Sequence, residues 1–403
     1  MVSAQRRNSS PLSEVRLTAA QARQLALKAQ GLWQAPQWSL PELSRRLGAI
    51  QLDTISVLAR NHELIPYARL NSVSRAEIEN HYWSAKPVRH FEYWAHAACI
   101  IPVEKWPLYA FRRDSARAST PTWHNVSKKT IATVLKRVES DGPVTTGDVG
   151  GGKKSGYWWD WSDNKIALEY LLNIGDVTVT RREGFRRIYD VSSRAIPAKH
   201  FKDIERVPAQ VSLLNEAVNL LGVATKLDLL DVPRLRATQT RDSWDAFVNQ
   251  KNIVAVEVEG WDEAAFTTRD WLSQLDESSG SRTVMLSPFD PLIWYRERME
   301  RLFGMFHRIE AYTPAPKRIY GYFAMPVLSG DELIARVDPG REDKNATFVA
   351  KTVTFEKTSP SQAQIKAVAS AIRESAAWVN AETIRVDTVV PAKAAASLRT
   401  FIS

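Results

Sequence analysis

The stretch Ser162-Asp-Asn-Lys-Ile-Ala-Leu-Glu-Tyr-Leu-Leu-Asn-Ile-Gly-Asp-Val-Thr-Val-Thr-Arg-Arg-Glu-Gly-Phe-Arg-Arg-Ile-Tyr-Asp190 decides how this chain is read. Ser162 is a helix cap, and apolar residues recur at helical spacing from Asp163 to Asn173 behind it. Two alternating segments follow, Asp176 to Thr180 and Phe185 to Asp190, around a turn at Arg181 to Gly184. A further helix is expected over Lys128 to Ser140. Helix, helix, hairpin is the order of a winged helix, a unit that presents a helix and a basic hairpin to nucleic acid.

The same pattern extends in both directions. Upstream, Thr18 caps a helix running to about Gly31, and Ser39 caps a second that Gly48 ends. An extended run from Ile50 to Val57 follows, then a helix from Ser74 to Trp83 with Glu77 at the capping-box position. Downstream, residues Pro208 to Ala246 read as helical and Ile253 to Glu259 as a strand. From Ser281 onward the pattern turns to β: strands are expected at Phe306 to Tyr312, Arg318 to Pro326 and Glu332 to Val337. Thr313 to Lys317 and a hairpin turn at Ser329 to Asp331 join them, and a helix from Gln362 to Val379 covers the sheet. The expected fold is α+β: tandem winged-helix units at residues 1–125, 126–200 and 201–280, followed by a C-terminal β-rich domain at 281–403.

Composition narrows the function. The chain has 403 residues, too many for one ordinary core. Its 54 Lys and Arg against 45 Asp and Glu give a net charge of +9, which favours a polyanionic partner, nucleic acid first. No apolar stretch approaches the roughly 20 residues that span a bilayer, and the start, Met1 to Ser10, lacks a signal-peptide core. A cytoplasmic protein with no membrane partner is the expectation. The single cysteine, Cys99, lies in an apolar stretch and reads as a packed thiol, and the seven scattered histidines give no metal-ligand spacing. No metal or cofactor is expected. A serine elbow, a zinc-protease helix, a dinucleotide fingerprint and a deaminase ligand set are all missing from the sequence.

Chemistry enters through Gly48-Ala-Ile-Gln-Leu-Asp-Thr-Ile-Ser-Val-Leu-Ala-Arg60. In an extended backbone residues i and i+2 share a face, so Gln51 and Asp53 would project together while Ile50 and Leu52 pack. An amide can orient a water, and a carboxylate can accept its proton or stabilise a nearby positive charge. The same spacing also occurs on ordinary solvated strands. His62 and the adjoining Asn61 are candidates for a wall of that pocket or for packed residues, whereas His96 reads as a structural hydrogen-bonder. Gly147, Gly152 and Lys153 fall at phosphate-loop spacing, but Lys154 replaces the hydroxyl residue that holds magnesium. Lys153 and Lys154 beside Tyr157 to Trp161 fit a loop lying on a sugar-phosphate backbone, or an ordinary solvated loop beside packed tryptophans. Arg181, Arg182, Arg186 and Arg187 suit DNA contact at the wing, and equally a charged hairpin edge that blocks strand pairing.

Taken together, Ile50 to Ile55 with Ala59 to His62, Phe91 to His96, Gly150 to Lys153 with Gly156 to Trp161, Arg182 to Phe185 and Ser287 to Ile293 resemble the YcaQ/AlkZ-type winged-helix DNA glycosylases. The resemblance runs from about residue 20 to 340. It implies excision of N7-alkylated purines, unhooking of interstrand crosslinks, and a catalytic pair at Gln51 and Asp53 in the Gln-x-Asp branch. Double-stranded DNA carrying alkylated or crosslinked purines is the implied partner. A monofunctional enzyme without strand cleavage, acting as a monomer, is expected. The alternative is a winged-helix transcription regulator without enzymatic activity, for which a carboxylate directed at DNA would be a liability.

Overall fold

A computed structural model of the chain describes residues 15–70, 72–84, 87–119, 126–151, 161–342 and 346–403. Its N-terminal two thirds use one order of elements three times. In the first unit it is helix Leu40–Leu47, strand Ile50–Gln51, helices Asn61–Arg69 and Arg75–Trp83, then strands His90–Trp94 and Ala98–Pro102. The second unit, among its described residues, has helix Lys128–Asp141, strand Val144–Thr145, helix Asp163–Ile174 and strands Val177–Glu183 and Arg186–Val191. The third has helix Arg206–Leu221, strand Val223–Thr225, helices Lys226–Asp231 and Arg241–Val248, and strands Ile253–Val258 and Ala265–Thr268. In each sheet the last strand lies in the middle, paired with the other two. Such agreement in strand order across three units supports the winged-helix reading better than any sequence repeat does.

Local chemistry explains the helix ends. Thr18, Ser39, Ser74 and Ser162 each accept a hydrogen bond from a backbone N–H three residues on, and Gly175, at φ 80°, closes helix Asp163–Ile174 in the left-handed conformation. Two elements of the first unit have no clear sequence signal. Helix Asn61–Arg69 carries Pro66 inside it, a residue that ordinarily ends a helix. The hairpin His90–Pro102 is buried on nearly every residue and so lacks alternation.

The units are not beads on a string. Strand Arg16–Leu17, which falls within the range expected for the first unit but was not expected as a strand, pairs in parallel with Ile253–Val258 of the third. One apolar core joins the first and third units, from Leu43 and Ile50 through Leu214 to Phe247. The second unit keeps its own core around Val138, Leu168 and Tyr189. At the C-terminus a five-stranded sheet runs in the order Thr283–Met285, Met325–Ser329, Glu332–Glu342, Thr347–Phe355, Thr383–Val390. Helix Gln362–Trp378 packs on it, as expected, and makes the crossover to the last, parallel strand. Leu58, Ala59 and Leu64 of the first unit enter this C-terminal core. A bidentate pair, Arg69 to Asp290 at 2.7 and 2.8 Å with both side chains fully buried, ties the two parts together.

Two expected strands are absent. Residues 306–312 and 318–324 are irregular, and only Met325 and Pro326 of the second join a strand. Their backbone is satisfied by carboxylates instead of a ladder: Glu310 accepts the N–H groups of Ile319, Tyr320 and Gly321, and Asp338 accepts that of Phe323. A helix, Arg296–Phe303, precedes this segment.

Candidate active site

The extended run expected from Ile50 to Val57 stops after Gln51. Asp53 turns the chain by accepting the Ile55 N–H at 2.8 Å, an Asx turn. The alternation argument therefore fails for this pair. Asp53 lines a cavity of about 480 Å³ between the first and second units, whereas Gln51 lines a neighbouring cavity of about 210 Å³. Leu52, between them in sequence, also lines the Asp53 cavity, and its N–H donates to the Ala98 carbonyl at 2.7 Å.

Several contacts hold this turn. Arg60 donates to the Thr54 carbonyl at 3.0 Å, and the Asn61 amide donates to the Gln51 carbonyl at 2.6 Å. Leu58 and Ala59 anchor its far end in the C-terminal core. Asn61 and His62 are fully buried and line neither cavity, which corrects their expected place as a pocket wall. Asn61 positions Gln51. His62 bonds Glu79 at 2.7 Å and stacks under Phe185, which does line the Asp53 cavity.

Burial raises the Asp53 carboxyl above the ordinary carboxylate range. The amides of Ile55 and Thr54 and the charge of Arg60 offset that only in part. Such a group holds its proton more tightly than a surface aspartate and is a stronger base once ionised.

The second unit's hairpin closes the other side of the cavity. Its turn is Gly184 and Phe185, both at positive φ, shorter and farther along than the expected turn at Arg181 to Gly184. Phe185 at φ 66° is strained, by about 1–2 kcal/mol for a side chain of this kind. Its ring is packed between the guanidinium groups of Arg60, at 3.6 Å, and Arg182, at 4.1 Å, and cation–π contacts offset the strain.

The four arginines divide sharply. Arg182 grips buried Glu92 of the first unit through Nε and Nη2 at 2.5 and 2.7 Å. Arg187 bridges Glu92 and Glu169. Burial pushes the Glu92 carboxyl up, but the charge of Arg187 and the bonds to Arg182 outweigh it and hold the group ionised. These two arginines join domains through carboxylates while also lining the Asp53 cavity, so their charge is shared with Glu92 and Glu169 rather than free for phosphate. Arg186 is exposed and lines the Asp53 cavity, and Arg181 pairs with Glu183 at the surface. Lys153 and Lys154 lie outside the described residues.

Sequence reasoning missed Lys165, which lines the same cavity, and Tyr312. Tyr312 is 82 % exposed; partial desolvation of the phenol first, and then the nearby charge of Asp53, raise it. No periodic signal marks it, because its segment has no regular structure. The fold also gathers His62, Glu63 and Glu79, three groups whose ligand atoms lie within 4.8 Å of one another. Glu63 already takes the Arg60 N–H and the Arg75 guanidinium, so this set reads as an ion-pair network bracing two helices. Cys99 is buried, and burial pushes its thiol up to about 11, as expected of a packed residue.

A carboxylate with raised basicity, a basic cavity between the first two units and an exposed aromatic beside it fit a DNA-processing site. Residues 44–378 match the family model described as DNA glycosylase AlkZ-like, and the chain belongs to that family. Among solved structures it is similar to the Streptomyces sahachiroi DNA glycosylase AlkZ, with a TM-score of 0.65 at 15% identity, covering 93% of this chain and 100% of that one. At that identity the likeness is one of fold. Family membership makes the protein a DNA glycosylase and sets the regulator aside. Among the described residues, no helix is long and apolar enough to cross a membrane.

Proposed function

We propose that the protein hydrolyses the N-glycosidic bond of N7-alkylated purines in double-stranded DNA, crosslinked purines included, as a monomer and without strand cleavage. Alkylation at N7 makes the base cationic, so it departs neutral and needs no general acid. What remains is an oxocarbenium-like sugar and a water. Asp53 stabilises the first and deprotonates the second, which are the two tasks a buried carboxylate performs best. Gln51, on the neighbouring cavity, helps to orient the substrate. No lysine amine is used as nucleophile, so no Schiff base forms to promote strand scission.

The observation that carries this reading is Asp53 itself: a carboxylate raised by burial, at the wall of a cavity that also holds the exposed Arg186 and the Lys165–Glu169 ion pair. Cations that attract phosphate and a carboxylate that repels it have one common use, chemistry on the sugar between phosphates. The test is release of free 7-methylguanine from methylated duplex DNA in buffer containing EDTA. Wild-type protein should release it, and Asp53→Asn should be slower by about two or more orders of magnitude, the scale of a lost electrostatic or base contribution, while duplex binding holds or tightens. A folded Asp53→Asn protein that excises at the wild-type rate would remove the carboxylate from the mechanism.

A further inference from the structure

A further cavity, of about 350 Å³, lies away from Asp53 and takes no part in the chemistry proposed for it. Ala98 at the Asp53 cavity and Pro102 at this one are the two ends of strand Ala98–Pro102, so roughly 13 Å of strand separates the sites. Four stretches of chain meet there: helix Leu40–Leu47, residues 87–90, residues 102–104, and residues 197–200 beyond the second unit's hairpin. Each contributes a proline, Pro41, Pro87, Pro102 and Pro197, whose ring fixes the backbone φ and stiffens the wall. The cavity is thus formed in advance, at a size within the roughly 300–1,000 Å³ of sites for small organic ligands.

Its charges suit an anion. Arg45, Arg89 and Lys199 line it from three separate stretches, all three are exposed, and none of these side chains has an ion pair or hydrogen bond among the described residues. Cations close by in sequence are committed instead: Arg46 pairs with Glu42 and Arg194 with Asp190. One carboxylate, Glu104, lines the cavity, and it too is exposed and without an ion pair among the described residues. Three cations against one carboxylate leave a surplus of positive charge in a concave site, where low-dielectric walls focus the field.

The two buried imidazoles on the wall respond to that surplus without adding to it. His81 bonds the Ser44 hydroxyl through Nε2 at 3.0 Å and stands edge-on to His90, 4.8 Å between centroids. Burial first, then the charges of Arg89 and Arg45, lower His81 to about 4, so it is neutral at neutral pH. Both guanidiniums therefore reach His81 electrostatically, which gathers them at one end of the cavity. A guanidinium grips a phosphate through two parallel N–H bonds, and an ammonium on a flexible stem adds a third donor where it is needed. A terminal phosphate, with about two negative charges near pH 7, matches the surplus better than a backbone diester does. The diester has one charge and chain on both sides, which a cavity walled by four stretches leaves little room for.

We propose that this cavity is a phosphomonoester site separate from the Asp53 site, in which Arg45 and Arg89 hold the phosphate and Lys199 completes its set of donors. The organic part of the ligand rests on the apolar wall made by the prolines with Val88 and Val103. The site stands or falls independently of the glycosylase reading, since no residue of it touches the Asp53 cavity.

Equilibrium dialysis of the full chain against labelled AMP tests it. Wild-type protein should bind one equivalent saturably, with inorganic phosphate competing and adenosine not. Arg89→Ala and Lys199→Ala should each weaken binding about tenfold, the scale of a lost charge-assisted hydrogen bond. Glu104→Gln should tighten it severalfold by removing repulsion, and Arg46→Ala, whose guanidinium is paired outside the cavity, should leave it unchanged. All four positions are exposed, and an unchanged thermal midpoint confirms folding. Release of 7-methylguanine and affinity for a long duplex should be the same in Arg89→Ala as in the wild type. Competition by a duplex with 5′-phosphate ends, but not by the same duplex with 5′-hydroxyl ends, assigns the phosphate to a DNA end; competition by AMP and phosphate alone assigns it to a free nucleotide. Absence of saturable binding, equal competition by adenosine, or indifference to Arg89→Ala and Lys199→Ala would overturn the site. So would equal competition by the two duplexes, or a loss of duplex affinity in Arg89→Ala as large as its loss of AMP, because either makes the cavity part of a backbone track.

Discussion

Two segments distant in sequence flank the Asp53 carboxylate: the hairpin Val177–Val191 of the second unit and residues 304–324 before the C-terminal sheet. In sequence the hairpin has the charge and alternation of a DNA-facing wing, and the second segment resembles two ordinary strands. In the fold the hairpin tip is turned inward. Phe185 is wedged between two guanidiniums, and Arg182 and Arg187 are spent on Glu92. The irregular segment faces outward, with Phe306, Tyr312 and Ile319 all largely exposed. Charge density alone does not identify a DNA contact, because an arginine that meets a buried carboxylate is committed to it. Exposed aromatics on a carboxylate-stapled loop are the stronger sign, since leaving them in water is unfavourable unless something covers them.

The largest expected effect tests the inward half of this comparison. Arg182→Ala leaves Glu92 with one partner in a buried site, and breaking such a pair costs about 3–5 kcal/mol. Thermal unfolding should shift down by many degrees, and Arg182→Ala combined with Glu92→Leu should recover part of the loss. If Arg182→Ala keeps wild-type stability and instead loses DNA affinity, the hairpin is a wing after all.

The outward half is tested by Tyr312→Ala. Its ring is exposed, so stability should hold. Excision and duplex affinity should fall about tenfold if the ring stacks on a base, for which about 1–3 kcal/mol is typical. Unchanged affinity and rate would make the loop a bystander.

A smaller effect lies in the pH profile. In the proposed mechanism excision requires ionised Asp53, so the rate should fall as pH drops through its pKa. Because burial raises that pKa, the acid limb should lie above the roughly 3.9 of an ordinary aspartate. Arg60→Ala removes a charge that lowers it, so the limb should move further up. An acid limb at or below the ordinary value would contradict the burial of Asp53.

The smallest effect belongs to Arg186→Ala. One lost phosphate contact should reduce the log–log salt slope of duplex binding by about 0.9 and weaken binding only a few-fold. Arg187→Ala should leave that slope unchanged in whatever protein remains folded, and equal slopes for the two variants would erase the distinction between exposed and committed arginines.

Local signals were legible in the sequence alone. Ser39, Ser74 and Ser162 cap helices there because a side-chain oxygen needs only a neighbour three residues away. Helix Gln362–Trp378 and the turn at Gly330 and Asp331 are local for the same reason. Asp53 was legible as a residue that needs a special place, because a lone carboxylate in an apolar run has to be held by something, and the fold sets it on a cavity wall. Its separation from Gln51 was not, since an Asx turn replaced the strand that would have aligned them. Only the tertiary structure decided which arginines are free and that His62 supports Phe185 instead of lining a pocket. Each depends on a partner between 90 and more than 120 residues away in the chain or on the lack of one, and long-range partners leave no trace in local spacing.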